Sequence, residues 1–366
     1  MIKGENNITT NQLFFLIIQT QIGVSILSLP YTVFLAAKGD GWISMLLAGC
    51  LIQILILIIW LLNRRFHNST LFTFAGKITG KWVGALISLG YFGYFVLTGS
   101  LILILLSRTL NVWVLPRTPQ WIIILLMLAA GIYIAKENLR VFARFYTFVS
   151  VLFVFLILFL TFTLKDSQYL YLFPVGQSGI SGILLGVKSV VPSMMGFEIL
   201  LIVYPYVEGS ATQKLKAATY ANLFVTLFYT FIILTCFMYF SPAEITLIPE
   251  PLLYMFKAFT FTIIERIDLL FLSMWVVAVT TSFMTYLYLA SNGVAFFLHQ
   301  RNHARAVPVA AALIFIVSII PGENEIAIHA FSNFLGSLSI IFGAVLPLLL
   351  LLGAYLFRIR ERRVQE

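Results

Sequence analysis

Long apolar runs separated by short polar turns dominate the chain. Leu51–Leu62 and Val149–Leu160 each contain a single polar residue, Gln53 and Ser150. Strands of a membrane barrel alternate apolar and polar positions, which these runs do not, so they read as helices. A helix needs about 20 mostly apolar residues to cross a bilayer. On that measure spans fall at 11–36, 41–63, 82–110, 119–136, 141–164, 180–206, 216–240, 268–298, 306–321 and 329–357. The expectation is an all-α integral membrane protein, a single transmembrane domain over 1–366 with ten transmembrane helices.

Two segments interrupt the pattern. The first span reads Gln19-Thr20-Gln21-Ile22-Gly23-Val24-Ser25-Ile26-Leu27-Ser28-Leu29-Pro30. The sixth reads Val191-Pro192-Ser193-Met194-Met195-Gly196-Phe197-Glu198. Glycine, serine and proline so close together weaken the helical ladder. Either motif alone could serve packing or a kink. Their positions argue for more, because the first and sixth of ten spans correspond in two halves, 11–164 and 180–357. Broken helices at matching positions point to the binding site of a five-plus-five inverted repeat. An odd number of spans per half also inverts the second half relative to the first.

Unwinding frees backbone N–H and C=O groups that need new partners. A zwitterionic amino acid supplies both, its carboxylate accepting from N–H groups and its ammonium donating to carbonyls. Gly23 and Gly196 let a ligand approach the backbone closely. The substrate-binding candidates at the breaks are Gly23, Val24, Ser25, Ser193, Met195, Gly196 and Phe197. The third span adds Tyr91, Phe95 and Thr98 near one face, and the eighth adds Thr281, Ser282, Thr285 and Tyr286. Ordinary packing, with hydroxyls bonded to the preceding turn, is the alternative for each of these. Glu198 is the acid placed well inside a span, where charge is costly and by default functional, as a gate or proton relay. Lys188 lies too far along the same span to pair with it in a continuous helix.

Composition agrees with the pattern: 61% of residues are apolar, 10% are charged and the mean hydropathy is +1.00. Soluble domains carry about 25% charged residues. The net charge of +9 and pI of 9.5 would suggest nucleic acid in a soluble protein. Here the basic residues sit in short loops, so topology accounts for them and no nucleic-acid partner is expected. One set of loops holds Lys3, Arg64, Arg65, Lys77, Lys81, Lys136, Arg140, Arg144, Lys214, Lys216, Arg301, Arg305, Arg358, Arg360, Arg362 and Arg363. The other holds only Lys38, Arg108, Arg117, Lys165, Lys257 and Arg266, together with most of the acids. The positive-inside rule therefore makes both termini cytoplasmic, which an even number of spans allows.

The N-terminus has no Ala-x-Ala-like cleavage site and reads as a retained first span. The stretch 242–267, cut by Pro249, Glu250, Pro251 and Lys257, is too short to cross and reads as a helix on the outer face. The linker 64–81 reads as interfacial, with Phe66, Leu71, Phe72 and Phe74 facing lipid or protein. Glu265, Arg266 and Asp268 read as an outer surface cluster. Cys50 and Cys236 lie in apolar spans and suggest neither disulfide nor metal. His299 and His303 have metal-like spacing but no evident third ligand. No nucleophile and base, phosphate loop or zinc spacing is present, so no metal, cofactor or enzymatic activity is expected.

Over almost its whole length the chain resembles the B subunits of bacterial spore germinant receptors, a spore germination protein family within the amino acid–polyamine–organocation transporter superfamily. The segment from Ile22-Gly23 to Pro30 is similar to the superfamily's first-span motif. More family-specific are Gly41-Trp42, Gly80-Lys81-Trp82-Val83-Gly84, Gly90-Tyr91-Phe92, Arg117-Thr118-Pro119 and Gly196-Phe197-Glu198. The run from Glu265-Arg266 through Trp275 and Tyr286 to Ala290-Ser291-Asn292-Gly293 matches best. The resemblance implies a subunit in the spore inner membrane that binds a germinant, a small amino acid, and relays the signal with an A subunit and a C lipoprotein subunit. It places the ligand near Gly23, Ser25, Tyr91, Phe95, Met195 to Glu198, Ser282 and Tyr286. Two departures stand out. The fifth span after Arg144 carries no lysine, unlike some proton-coupled relatives, and Ser25 replaces the motif's second glycine. The competing expectations are a proton- or sodium-coupled amino-acid transporter and a channel-like subunit.

Overall fold

The computed structural model describes residues 6–258, 266–300 and 302–361. Lys3, Glu265, Arg301, Arg362 and Arg363, used above for orientation and for the surface cluster, lie outside the described residues. The chain opens with α1 (Thr10–Gln21), α2 (Leu29–Ala37), α3 (Gly41–Arg65), α4 (Leu71–Thr79) and α5 (Lys81–Trp113). It continues with α6 (Gln120–Ala135), α7 (Leu139–Val149), α8 (Val151–Thr163), α9 (Gly179–Val190) and α10 (Leu200–Val203). Then follow α11 (Ala211–Tyr239), α12 (Pro251–Ala258), α13 (Ile267–Phe297), α14 (Val307–Ile319), α15 (Glu325–Ile340) and α16 (Leu346–Leu356).

Among the described residues six helical stretches are long and apolar enough to cross a membrane, and a bent pair, Gly179–Met194 with Phe197–Tyr206, makes up to a seventh. Gln120–Ala135 and Val307–Ile319 are shorter apolar helices. The chain is an all-α membrane protein. Exposed leucines and isoleucines recur along outer faces, as at Leu47, Leu51, Ile54 and Leu57 on α3, which is how a helix meets lipid.

The stretch Leu29–Arg65 is not one straight rod. The chain turns back at Lys38–Asp40, so a Cβ added to Gly41 would lie 2.9 Å from Val33 Cγ1. Buried Asp40 secures that turn, accepting from the N–H of Gly176 (2.6 Å) and from the N–H and hydroxyl of Ser178 (2.9 and 2.7 Å).

Helix starts follow from local sequence. Thr9 and Gln12 form a reciprocal capping box for α1, and Ser210 with Gln213 does the same for α11. Of the 242–267 stretch, residues 259–265 lie outside the described residues; the described part holds α12, whose Phe256 ring stacks on Phe271 with centroids 4.4 Å apart. Residues Phe66, Leu71, Phe72 and Phe74 are buried within the protein, with Phe66 stacked on Phe74. Arg266 pairs with Asp268 through two hydrogen bonds of 3.0 and 2.8 Å.

Two arginines of the basic loops tie neighbouring segments together: Arg140 donates to Asn7 O beside the Ile8–Val207 bridge, and Arg65 donates to Ala354 O and Ile359 O. The α2–α3 turn and the Arg108–Glu325 ion pair lie at the opposite ends of their helices.

Candidate functional site

The first break separates α1 from α2. Gln19, Thr20 and Gln21 end α1, Ile22 turns extended, and Gly23 is extended at φ −122° and ψ −153° before a short 3-10 turn over Val24–Leu27. Neighbouring helices meet the polar groups at the end of α1. Ser282 on α13 donates to Thr20 O (2.9 Å), and Tyr229 on α11 donates to Gln21 O (3.0 Å). Thr281 donates to Gln19 Oε1 (2.7 Å), while Gln19 Nε2 donates to the Ser150 hydroxyl (3.1 Å) between α7 and α8. The Thr20 and Thr285 hydroxyls share a bond of 3.0 Å, and Tyr146 bonds both Thr285 and Thr281 O.

The second break is built differently. Pro192 lies in a 3-10 turn after α9, Met195 is extended, and Gly196 sits at φ +128°, where an L side chain is strained. A Cβ on Gly196 would stand 2.8 Å from Gln21 N and 2.9 Å from Thr20 O. The two breaks therefore touch, backbone against backbone. Gln21 reinforces the join, its Nε2 donating to Met194 O (2.7 Å).

Glu198 lies just past Gly196 and is fully buried. Its Oε2 accepts the Gly196 N–H at 2.7 Å. Its Oε1 accepts the hydroxyls of Tyr94 (3.1 Å) and Tyr286 (2.9 Å), from α5 and α13. Burying a carboxyl costs several kcal/mol unless its oxygens are satisfied, and three donors meet it here. Lys188 is exposed on α9, on the far side of the break.

The expected residues and their neighbours fall into several groups. Gly23, Ser282, Gly196, Glu198 and Tyr286 meet around the junction of the breaks. Tyr91, Phe95 and Tyr94 form an adjoining aromatic cluster, with Tyr91 donating to Phe342 O (2.8 Å) and Tyr94 stacked on the Phe342 ring. Met195 packs onto Gly343, whose missing side chain makes room for it, and Phe197 is buried beside it. Val24, Ser25 and Ser193 are half-buried at the two break points. Thr98 bonds back to Tyr94 O on its own helix, the structural alternative foreseen for such hydroxyls.

Several participants escape the sequence pattern. Tyr146 and Tyr229 sit in unbroken helices and give no local signal. Phe342 and Gly343 belong to a π-helical turn over Ile341–Val345 inside an apolar run. Such turns are rare and often mark functional sites. Tyr94, one turn from both Tyr91 and Thr98, was within reach of a helical-face argument.

The family model described as "Spore germination protein" matches residues 7–326. The spore germination protein GerQB of Bacillus cereus is 29% identical over 359 residues, covering 98% of each chain. Among the solved structures that share the fold are two that cover most of this chain. One is MhsT in complex with L-phenylalanine, with a TM-score of 0.67, 14% identity, and 94% of this chain and 97% of that one covered. The other is a substrate-bound, outward-open Na+-coupled sialic acid symporter, with a TM-score of 0.65, 11% identity, and coverage of 94% and 80%.

Proposed function

The chain belongs to the spore germination protein family, and from that premise we propose that it is a germinant-sensing membrane subunit. It holds a small amino acid where the breaks at Gly23 and Gly196 meet. One observation carries this reading: Gly196 rests on the Thr20–Gln21 backbone, so both interruptions open at a single place deep in the apolar bundle. Irregular backbone at membrane depth is tolerated where it is buried in protein or lines a cavity.

The same reading arranges ten transmembrane helices as a five-plus-five inverted repeat, α1–α8 against α9–α16, with the first and sixth helices broken. The basic face is cytoplasmic and both termini lie there, in the inner membrane of the spore. Ligand binding favours one conformer, and an A subunit and a C lipoprotein subunit read the shift. A ligand moves such an equilibrium only by its differential affinity for the two states. No catalytic reaction is assigned.

Thermal unfolding of the purified chain across a panel of amino acids tests the reading, since a ligand bound only by the folded state raises apparent stability. At least one small amino acid raises the midpoint; a flat panel contradicts the proposal. A second reading, amino-acid transport by alternating access, draws support from the fold shared with a Na+-coupled symporter. Uptake into proteoliposomes by this chain alone, driven by a proton or sodium gradient, would favour it over sensing. A channel-like role would appear instead as ion flux without ligand that Glu198→Gln abolishes.

A further inference from the structure

We infer that a cavity beside the α2–α3 turn holds the headgroup of an anionic phospholipid, with Lys38 as the residue that selects its charge. The cavity, of about 360 Å³, lies between the end of α2, the 169–177 loop and the 241–247 loop. None of its lining residues belongs to either break. Phe34 and Leu172 contribute apolar wall, and Lys38 and Gln177 contribute polar groups. Ligand sites commonly enclose about 300–1,000 Å³ and combine apolar walls with a few polar groups in this way.

Lys38 is unusual in two respects. It sits at φ +46°, a backbone region that L side chains rarely adopt, although a glycine follows it directly. Its ammonium has neither a hydrogen bond nor an ion pair among the described residues. The acids beside the cavity are engaged elsewhere. Asp40 accepts from Gly176 and Ser178, and Glu244 accepts from the Ser241 N–H at 2.8 Å. The cavity is therefore lined by an uncompensated cation, and an anionic group on the ligand is the partner that cation lacks. A phosphodiester has acceptor oxygens for both the Lys38 ammonium and the Gln177 amide.

The surroundings of the cavity decide the rest of the ligand. Leu35 and Phe173 line it and remain 58% and 62% exposed, and exposed apolar residues continue through Val175 and Ile180 into α9. A cation beside aromatic and aliphatic groups at the end of a span is how a membrane protein meets the headgroup layer. The cavity takes the headgroup, and the acyl chains leave across the apolar rim. A water-soluble anion would leave that rim uncovered.

The test uses the purified full-length chain, stripped of lipid and titrated with phosphatidylglycerol, phosphatidylcholine or glycerol phosphate, with binding read by native mass spectrometry and by the unfolding midpoint. Wild type should prefer phosphatidylglycerol to phosphatidylcholine by about fivefold, the worth of one lysine at an anionic surface. Lys38→Gln should abolish that preference, whereas Lys165→Gln, which removes an exposed lysine outside the cavity, should keep it. Lys38→Gly guards against misfolding: it relieves the strained φ, so the chain should be at least as stable as wild type and still lose the preference. Equal binding of the two lipids by wild type overturns the inference, as does a preference that survives in Lys38→Gly or is lost equally in Lys165→Gln. Glycerol phosphate binding as tightly as phosphatidylglycerol overturns the lipid as the ligand and makes the cavity a site for free anions.

Discussion

The two breaks look alike in sequence and differ in how the protein completes them. At the first, side chains from distant helices meet the polar groups: Ser282 and Tyr229 donate to the last carbonyls of α1. At the second, the chain supplies its own carboxylate two residues on, and two tyrosines brace it. Gly23 has an extended backbone open to any residue, while Gly196 has φ +128° and lies against the backbone of the first break. One break is a join between helices, and the other carries a buried carboxyl held by three donors. Equal glycines in a motif therefore need not carry equal weight.

The largest effect should come from Gly196→Ala. The positive φ alone costs about 1–3 kcal/mol in a non-glycine residue. The added Cβ also meets backbone atoms at 2.8–2.9 Å, which cannot rotate away. Loss of several degrees in unfolding midpoint together with loss of ligand response is expected. A mutant as stable and responsive as wild type would remove the distinction between the breaks.

Tyr286→Phe comes next. It deletes a hydroxyl donor to Glu198 at 2.9 Å, a bond to a charged group worth about 1.5–3 kcal/mol. Tyr94→Phe, which removes the longer 3.1 Å bond, should cost less. Calorimetry of the two variants checks the order, and the reverse order would mean that Oε1 is organised mainly from α5.

Gly23→Ala should be mild. Its Cβ would stand 3.3 Å from the Ser282 hydroxyl, a side-chain atom that can yield, and the backbone needs no glycine. Reduced freedom of the unfolded chain offsets the crowding, so stability changes by less than about 1 kcal/mol. A germinant response lowered more than the midpoint would show that Gly23 serves ligand approach, and Gly23→Ala combined with Ser282→Ala should then restore part of it.

A reference far from both breaks should give the smallest effect. Near the C-terminus, Glu361 binds Lys77 Nζ (2.6 Å), Asn68 N–H (2.9 Å) and the Ser69 hydroxyl, clamping the tail to the α3–α4 turn. Burial opposes ionisation of Glu361, but Lys77, Ser69 and Asn68 outweigh it and hold its pKa below the usual carboxylate value of 4.5. The clamp is thus fully formed above that value and weakens as pH falls through the lower folded-state value. A spin label at residue 359 should become mobile only in acid, and Lys77→Ala should move that transition to higher pH. No response to Lys77→Ala would mean the tail is held by Arg65 alone.

Much of the fold was legible because lipid imposes simple rules on sequence. Continuous apolar runs mark helices, and the segment boundaries 82–110, 119–136 and 268–298 lie within a few residues of α5, α6 and α13. The breaks were legible because Gly, Ser and Pro act on their own backbone. The completion of the site was not, since Glu198 finds Tyr94 and Tyr286 about a hundred positions away in unbroken helices. Nor does sequence alone distinguish Gly23 from Gly196, because the sign of φ is set by how α9 and α10 dock on α1. The π-helical turn at Ile341–Val345 was hidden in an apolar run whose composition suits a regular helix equally well.

The central claim is that one ligand occupies the place where both breaks meet. In a background lacking Cys50 and Cys236, single cysteines replacing the half-buried Ser25 and Ser193 report on the two breaks, and one replacing exposed Lys38 reports on the α2–α3 turn. An amino acid that raises the unfolding midpoint should slow alkylation at positions 25 and 193 together and leave position 38 unchanged. Protection at neither break, or protection at position 38 alone, would contradict the account.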